Sequence, residues 1–122
     1  MILADTSVWV DFLRRGNPEM KNSLSRGQIV MHPFIVAEIA LGSLRHRRKR
    51  LNELEALLEA RVARLSEVRH MIETRSLYAK GIGLVDAHLL ASCLMTPGTQ
   101  LWTLDSAMRR VARALGIVLY QP

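Results

Sequence analysis

The chain has few of the residues on which disulfide-stabilised proteins and base-stacking proteins depend. Its 122 residues include a single cysteine, Cys93, and two each of Trp, Tyr and Phe. A single cysteine excludes an internal disulfide and a cysteine-rich zinc site, which fits a reducing compartment. The scarcity of aromatic side chains leaves little scope for holding a nucleic acid by base stacking.

Long apolar runs are also missing. The most apolar stretch, residues 82–95, is interrupted by Asp86 and His88 and is too short to span a bilayer. The N-terminus has no basic region followed by an apolar run, so no signal peptide is expected. These absences predict a cytoplasmic protein without a membrane anchor.

The charge balance is basic, with 17 Lys and Arg against 11 Asp and Glu and a net charge of +6. Such a balance favours a polyanionic partner such as nucleic acid, bound through its phosphates and therefore sensitive to salt. Solubility alone would also explain a moderate net charge. Hydrophobic residues make up 49% of the chain and are spread along it, which predicts one folded domain over residues 1–122.

Hydrophobic periodicity predicts strands that alternate with helices. Strands are expected at residues 2–4, 29–31, 61–65, 100–104 and 117–119. Helices are expected at residues 7–15, 18–26, 33–41, 84–95 and 106–115, in the segment that carries the Leu51–Leu58 stripe, and after Ser66 as its cap. This order predicts an α/β fold with a short central parallel sheet flanked by helices.

Two acids fall at the carboxyl ends of predicted strands, where open α/β sheets place their sites. Asp5 follows the first strand, and Asp105 follows the strand that begins at Gln100. Taken alone, each is better explained as the cap of the next helix, because Asp is a favoured cap.

Two further acids lie within predicted helices. Glu38 lies at the edge of its helix's apolar stripe, where a surface Glu with a buried stem would also fit. Asp86 shares a helix face with Leu89, Leu90 and Cys93, which is the face that the helix should bury. A charge there requires a metal, a salt bridge or a capping role, because burying it unpaired is costly.

Two other candidates are set aside. Asp11 projects with Arg14 and Arg15 and is interpreted as a solvated acid. His88 projects with Ser92, away from the face that should be buried, so no catalytic role is assigned to it.

Several acids that converge on one site repel one another, and a hard divalent cation with oxygen ligands relieves that repulsion. Mg²⁺ or Mn²⁺ is therefore the expected cofactor. Hydroxyls of Thr6, Ser7 and Thr103 could add contacts, although each could equally serve in local hydrogen bonding.

These residues together carry a family resemblance. The segments Asp5–Trp9, Val85–Ala87 and Thr103–Asp105, with Glu38 between the first two, resemble the PIN-domain ribonucleases. More narrowly, they resemble the VapC-type toxins of prokaryotic toxin–antitoxin pairs, over essentially the whole chain. The resemblance implies a three-layer α/β/α fold and hydrolysis of RNA phosphodiester bonds by a water that Mg²⁺ or Mn²⁺ activates. It also implies a homodimer or hetero-oligomer with a small antitoxin. The catalytic and metal-binding residues that it implies are Asp5, Glu38, Asp86 and Asp105.

The basic residues leave a second class of function open. The run Arg45–Arg50 precedes the leucine stripe, where positive charge opposes the helix dipole. An RNA contact and a solvated loop explain it equally well. A non-catalytic nucleic-acid-binding module would use such residues and would be indifferent to metal and to the acids.

Overall fold

The computed structural model describes all residues from Met1 to Pro122. Its three strands are β1 (Ile2–Ala4), β2 (Ile29–Val30) and β3 (Gln100–Trp102). Its seven helices are α1 (Thr6–Arg15), α2 (Pro18–Ser25), α3 (Pro33–Ala40), α4 (Arg47–Glu55), α5 (Leu65–Thr74), α6 (Leu84–Met95) and α7 (Ser106–Ala114). No helix combines the length and the apolar character needed to cross a membrane.

The strands form one parallel sheet in the order β2–β1–β3. Leu3 in the central strand pairs with Val30 on one side and with Leu101 on the other, and all three side chains are buried. Helix α1 packs on β1 and α6 packs on β3. This confirms the predicted α/β fold with a short parallel sheet, and it brings the carboxyl ends of all three strands to one edge.

The segment between α4 and α5 differs from its prediction. Residues 61–65 do not form a strand, and Glu59 makes only an isolated bridge to Met31 beside β2. The last predicted strand is likewise reduced to one bridge, between Leu119 and Leu101. Helix α5 begins at Leu65, before the predicted cap Ser66. The side chain of Glu67 caps this helix by accepting a hydrogen bond from the Arg64 N–H at 2.9 Å.

The basic run also differs from its prediction, because four of its residues form the first turn of α4. His46 precedes the helix in a left-handed conformation with φ of 53° and makes no side-chain capping bond. Arg47 ties this first turn to the end of α3, because its guanidinium donates to the Ala40 carbonyl at 2.5 Å and to the Gly42 carbonyl at 3.3 Å. The helix ends at Glu55, so the lower part of the leucine stripe lies in a loop, and Leu58 is exposed.

The orientation expected for His88 is wrong. Every residue of α6 from Ala87 to Cys93 is buried, so this helix has no solvent face over two turns. The His88 ring packs against Phe34 at 4.6 Å between ring centroids and against His32 at 6.4 Å. The prediction of one buried and one exposed face fails for α6, because this helix contributes residues to both hydrophobic clusters in the protein interior.

Candidate metal centre

Asp5 lies directly after the central strand and is almost fully buried, with 4% of its surface exposed. It is the N-cap of α1, and its Oδ1 accepts a hydrogen bond from the Val8 N–H at 3.3 Å. The Ser7 hydroxyl donates to the same oxygen at 2.5 Å, and the Thr103 hydroxyl donates to Oδ2. Burial raises the pKa of Asp5, and these donors oppose that rise because they favour the carboxylate.

The hydroxyls that hold Asp5 also hold the loop that carries Asp105. Thr103 Oγ1 accepts from the Asp105 N–H at 3.0 Å, and Ser7 Oγ accepts from the Leu104 N–H at 3.1 Å. The start of α1 and the end of β3 are therefore joined by side chains as well as by the sheet. This arrangement fixes the positions of Asp5 and Asp105 relative to each other.

Asp105 is the N-cap of α7, and its Oδ1 accepts a hydrogen bond from the Met108 N–H at 2.9 Å. Unlike Asp5, it is exposed. Its second carboxylate oxygen has no hydrogen-bond partner in the protein. Asp105 therefore acts as a helix cap and still presents an oxygen to a ligand.

Glu38 reaches the site from α3, where it is exposed. Its Oε1 accepts a hydrogen bond from the Thr6 hydroxyl at 2.5 Å. The residues immediately after Asp5 thus orient two different acids, because Thr6 contacts Glu38 and Ser7 contacts Asp5.

Asp86 lies in the first turn of α6 and is half-buried. Its carboxylate accepts a hydrogen bond from the Gly83 N–H at 3.3 Å. Burial raises the pKa of Asp86, the Gly83 hydrogen bond lowers it, and the negative charges of Asp5, Asp105 and Glu38 raise it further. The four predicted acids therefore lie near enough for three of them to act electrostatically on the fourth.

The protein does not neutralise this cluster with its own cations. Its three side-chain ion pairs join Arg15 to Asp11, Arg50 to Glu53 and Arg69 to Glu73, and none involves the four acids. Partial compensation comes from helix N-termini, because Asp5, Asp86 and Asp105 stand at the starts of α1, α6 and α7.

The donor set suits a hard divalent cation, because it consists of carboxylate oxygens with uncompensated charge. No group of three or more Asp, Glu, His or Cys side chains is already arranged to hold an ion by itself. Such an open arrangement fits Mg²⁺, which keeps several water ligands and commonly uses only one or two carboxylates. The residues thus fit a partly hydrated ion better than a closed protein cage.

Two features of the site go beyond the acids that the sequence singled out. The hydroxyls of Thr6, Ser7 and Thr103 donate hydrogen bonds to carboxylates of the site. The sequence alone allowed either this role or local hydrogen bonding. Gly83 supplies a backbone donor to Asp86, and only its place just before the predicted helix could have indicated this.

Comparison with known proteins agrees with this geometry. A family model described as the PIN domain matches residues 2–114. The chain is 35% identical over 119 residues to Ribonuclease VapC32 of Mycobacterium tuberculosis (strain CDC 1551 / Oshkosh), covering 98% of this chain and 96% of the relative. The protein of the same name from strain ATCC 25618 / H37Rv matches to the same extent. The chain therefore belongs to the PIN domain family, among its VapC-type ribonucleases.

Proposed function

We propose that this protein is a metal-dependent endoribonuclease and the toxin of a type II toxin–antitoxin pair. PIN-domain ribonucleases use a divalent metal, and here we assign Mg²⁺ or Mn²⁺ to Asp5, Glu38, Asp86 and Asp105. The observation that carries this assignment is the position of Asp86, whose half-buried carboxyl lies in the field of the other three acids without a basic partner.

The ion, when bound, neutralises charge on the phosphodiester and makes a water molecule a better nucleophile. The chain's own residues then have separate tasks. Asp5 is held rigidly by Ser7 and Thr103, so its carboxylate is a preorganised ligand. Asp105 and Asp86 each use part of their carboxylate as a backbone hydrogen-bond acceptor, and their remaining oxygen would help to hold the ion.

Glu38 is suited to a further task besides metal binding, because it is exposed and tied through Oε1 alone. Its Oε2 has no hydrogen-bond partner in the protein and can accept a proton from the attacking water. Thr6 keeps the carboxylate at the edge of the cluster while it does so. Both Glu38 and Asp105 are open to solvent, so water and an RNA strand can reach the cluster.

The partners follow from the same assignment. VapC toxins pair with antitoxins, and we propose that a small cognate antitoxin binds this chain, in a homodimer or a toxin–antitoxin hetero-oligomer. We place the protein in the cytoplasm, where its RNA substrate is found. One domain spanning residues 1–122 carries all these functions.

The test is RNA cleavage by the purified protein in MgCl₂, in MnCl₂ and in excess EDTA. Asp86→Asn should lower the cleavage rate by at least about 100-fold while keeping the shape of the side chain. The matched control is Glu73→Gln, which neutralises an exposed acid of α5 that pairs only with Arg69.

Wild type and Glu73→Gln should cut alike in Mg²⁺ or Mn²⁺ and be inactive in EDTA. Cleavage that survives EDTA, or that Asp86→Asn leaves unchanged, would contradict the assignment. Salt-sensitive RNA binding without any cleavage would point instead to a non-catalytic nucleic-acid-binding module.

A further inference from the structure

A cleft of about 600 Å³ opens beside the acid cluster, between α1, the end of α3 and the segment that leads into α4. Glu38 lies on its wall, so the cleft and the metal centre share a residue. Its other charged or titratable lining groups are basic or can become so, and they are Arg14, Arg45, His46 and Arg50. The volume is in the range of ordinary ligand pockets.

The arginines that line the cleft have few partners within the protein. Arg14 and Arg45 make no hydrogen bond or ion pair within the protein and are exposed. Arg50 has only a long contact of 3.5 Å to Glu53, and both side chains are about half exposed. Such a pair contributes little and leaves the guanidinium available to a ligand.

The residues of the basic run Arg45–Arg50 have different environments. Arg45, His46 and Arg50 line the cleft, whereas Arg47 is committed to the carbonyls at the end of α3. Arg48 and Lys49 are exposed and do not line it. Only part of a run that looks uniform in the sequence therefore faces the site.

An RNA strand is the occupant that this chemistry favours. Four acids repel a polyanion, so a strand whose phosphodiester reaches them must be held by cations nearby. No Trp, Tyr or Phe lines the cleft, which disfavours base stacking and favours contact with the phosphate backbone. Guanidinium groups suit phosphate because they can donate two parallel hydrogen bonds.

We propose that this cleft is a phosphate-binding subsite for the substrate RNA, in which Arg14 and Arg45 contact backbone phosphates next to the bond that is cut. The proposal rests on the proposed ribonuclease function and adds the path of the strand across the protein. The substrate leaves the acid cluster past Glu38 and continues between α1 and the start of α4. The contacts bind any sequence equally, because they read phosphate and not bases.

The test compares the double variant R14A/R45A with the matched double variant R48A/K49A, in the full chain without antitoxin. Both remove two positive charges from exposed positions, and only the first removes charges that line the cleft. Binding of a fluorescein-labelled single-stranded RNA of mixed sequence is measured by anisotropy in EDTA over a range of KCl concentrations. Steady-state cleavage of the same RNA is measured in Mg²⁺ or Mn²⁺.

R14A/R45A should weaken RNA binding roughly tenfold and lower the slope of log affinity against log salt by about 1.4. R48A/K49A should stay within about twofold of wild type, because these exposed side chains do not line the cleft and salt screens their charge. In cleavage, R14A/R45A should raise KM and leave kcat within a few-fold.

Equal losses in the two double variants, or unchanged binding by R14A/R45A, would overturn the proposal. Failure of the ribonuclease function is distinguishable, because binding in EDTA does not depend on cleavage.

Discussion

At the scale of single residues, small hydroxyl side chains organise the acids. Asp5 is a buried carboxylate, and its stability in that place depends on donors because a buried charge without them is costly. Thr103 supplies one such donor and also accepts from the Asp105 backbone. Thr103 therefore positions two of the acids that we assign to the metal, although it does not belong to the acid cluster itself.

Thr103→Val removes the hydroxyl and keeps the shape of the side chain. Affinity for Mn²⁺ and kcat/KM should both fall by about 10- to 100-fold, because the orienting partner of a ligand is lost. Thr103→Ser keeps the donor and should remain within a few-fold of wild type. Mn²⁺ titration and cleavage assays of wild type, Thr103→Val and Thr103→Ser measure these effects. Full activity in Thr103→Val would refute the positioning role of Thr103.

At the scale of elements, the loop between α5 and α6 sets the position of Asp86. Gly83 donates its N–H to the Asp86 carboxylate. Two residues earlier, Gly81 has a φ of 82°, and a Cβ added there would stand 3.4 Å from the Cβ of Ala107 in α7. The loop is thus held against α7, the helix that Asp105 caps.

Gly81→Ala should lower the free energy of unfolding by about 1–2 kcal/mol, because a side chain is strained in the left-handed region. Gly83→Ala is the control, since Gly83 has a φ of −99° and open space around it. Gly83 is the N-cap of α6, where Gly is preferred to Ala, so this control should cost about 0.5 kcal/mol. Urea unfolding of both variants measures the difference, and equal stabilities would contradict the conformational argument.

The elements around the site were largely predictable, and the reasons for the failures are physical. Asp5 and Asp105 were found because strand ends and helix caps have local signatures. The burial of His88 was missed because its helix is covered on all sides, a property set by tertiary packing and not by sequence period. The hydrogen bond from Thr103 to Asp5 could not be predicted either, because the two residues are 98 positions apart in the sequence.

At the scale of the whole molecule, a buried pair of histidines links stability to pH. His32 caps α3 through Nδ1, which accepts from the Phe34 N–H, and its ring faces His88 of α6. Burial, together with a smaller contribution from the nearby His88, lowers the pKa of His32 to about 4. Protonation of His32 therefore opposes the folded state.

The folded-state pKa of His32 lies below its unfolded value, so the unfolded chain binds more protons between the two. The contribution to stability is complete above about pH 6.5 and is lost as the pH falls towards 4. Over that interval, the loss of this contribution from His32 should lower the free energy of unfolding by at most about 3 kcal/mol. Urea unfolding at a series of pH values measures the loss.

His32→Asn is the informative variant, because it keeps a capping acceptor and removes the titrating group. Its stability should depend less steeply on pH in this interval, with the remainder due to His88, whose pKa burial also lowers. A slope identical to that of wild type would show that His32 does not carry the effect.

The central claim is that the acids that cap α1 and α7 and the acids within α3 and α6 form one metal-binding centre. Mn²⁺ binding, followed by the EPR signal of the free ion, tests it most directly, because it requires neither RNA nor turnover. The variants to compare with wild type are Asp5→Asn, Glu38→Gln, Asp86→Asn, Asp105→Asn and the control Glu73→Gln. The account predicts saturable binding by wild type and by the control, and at least roughly tenfold weaker binding by each of the other four variants. Wild-type affinity in the four site variants, or no saturable binding by wild type, would contradict it.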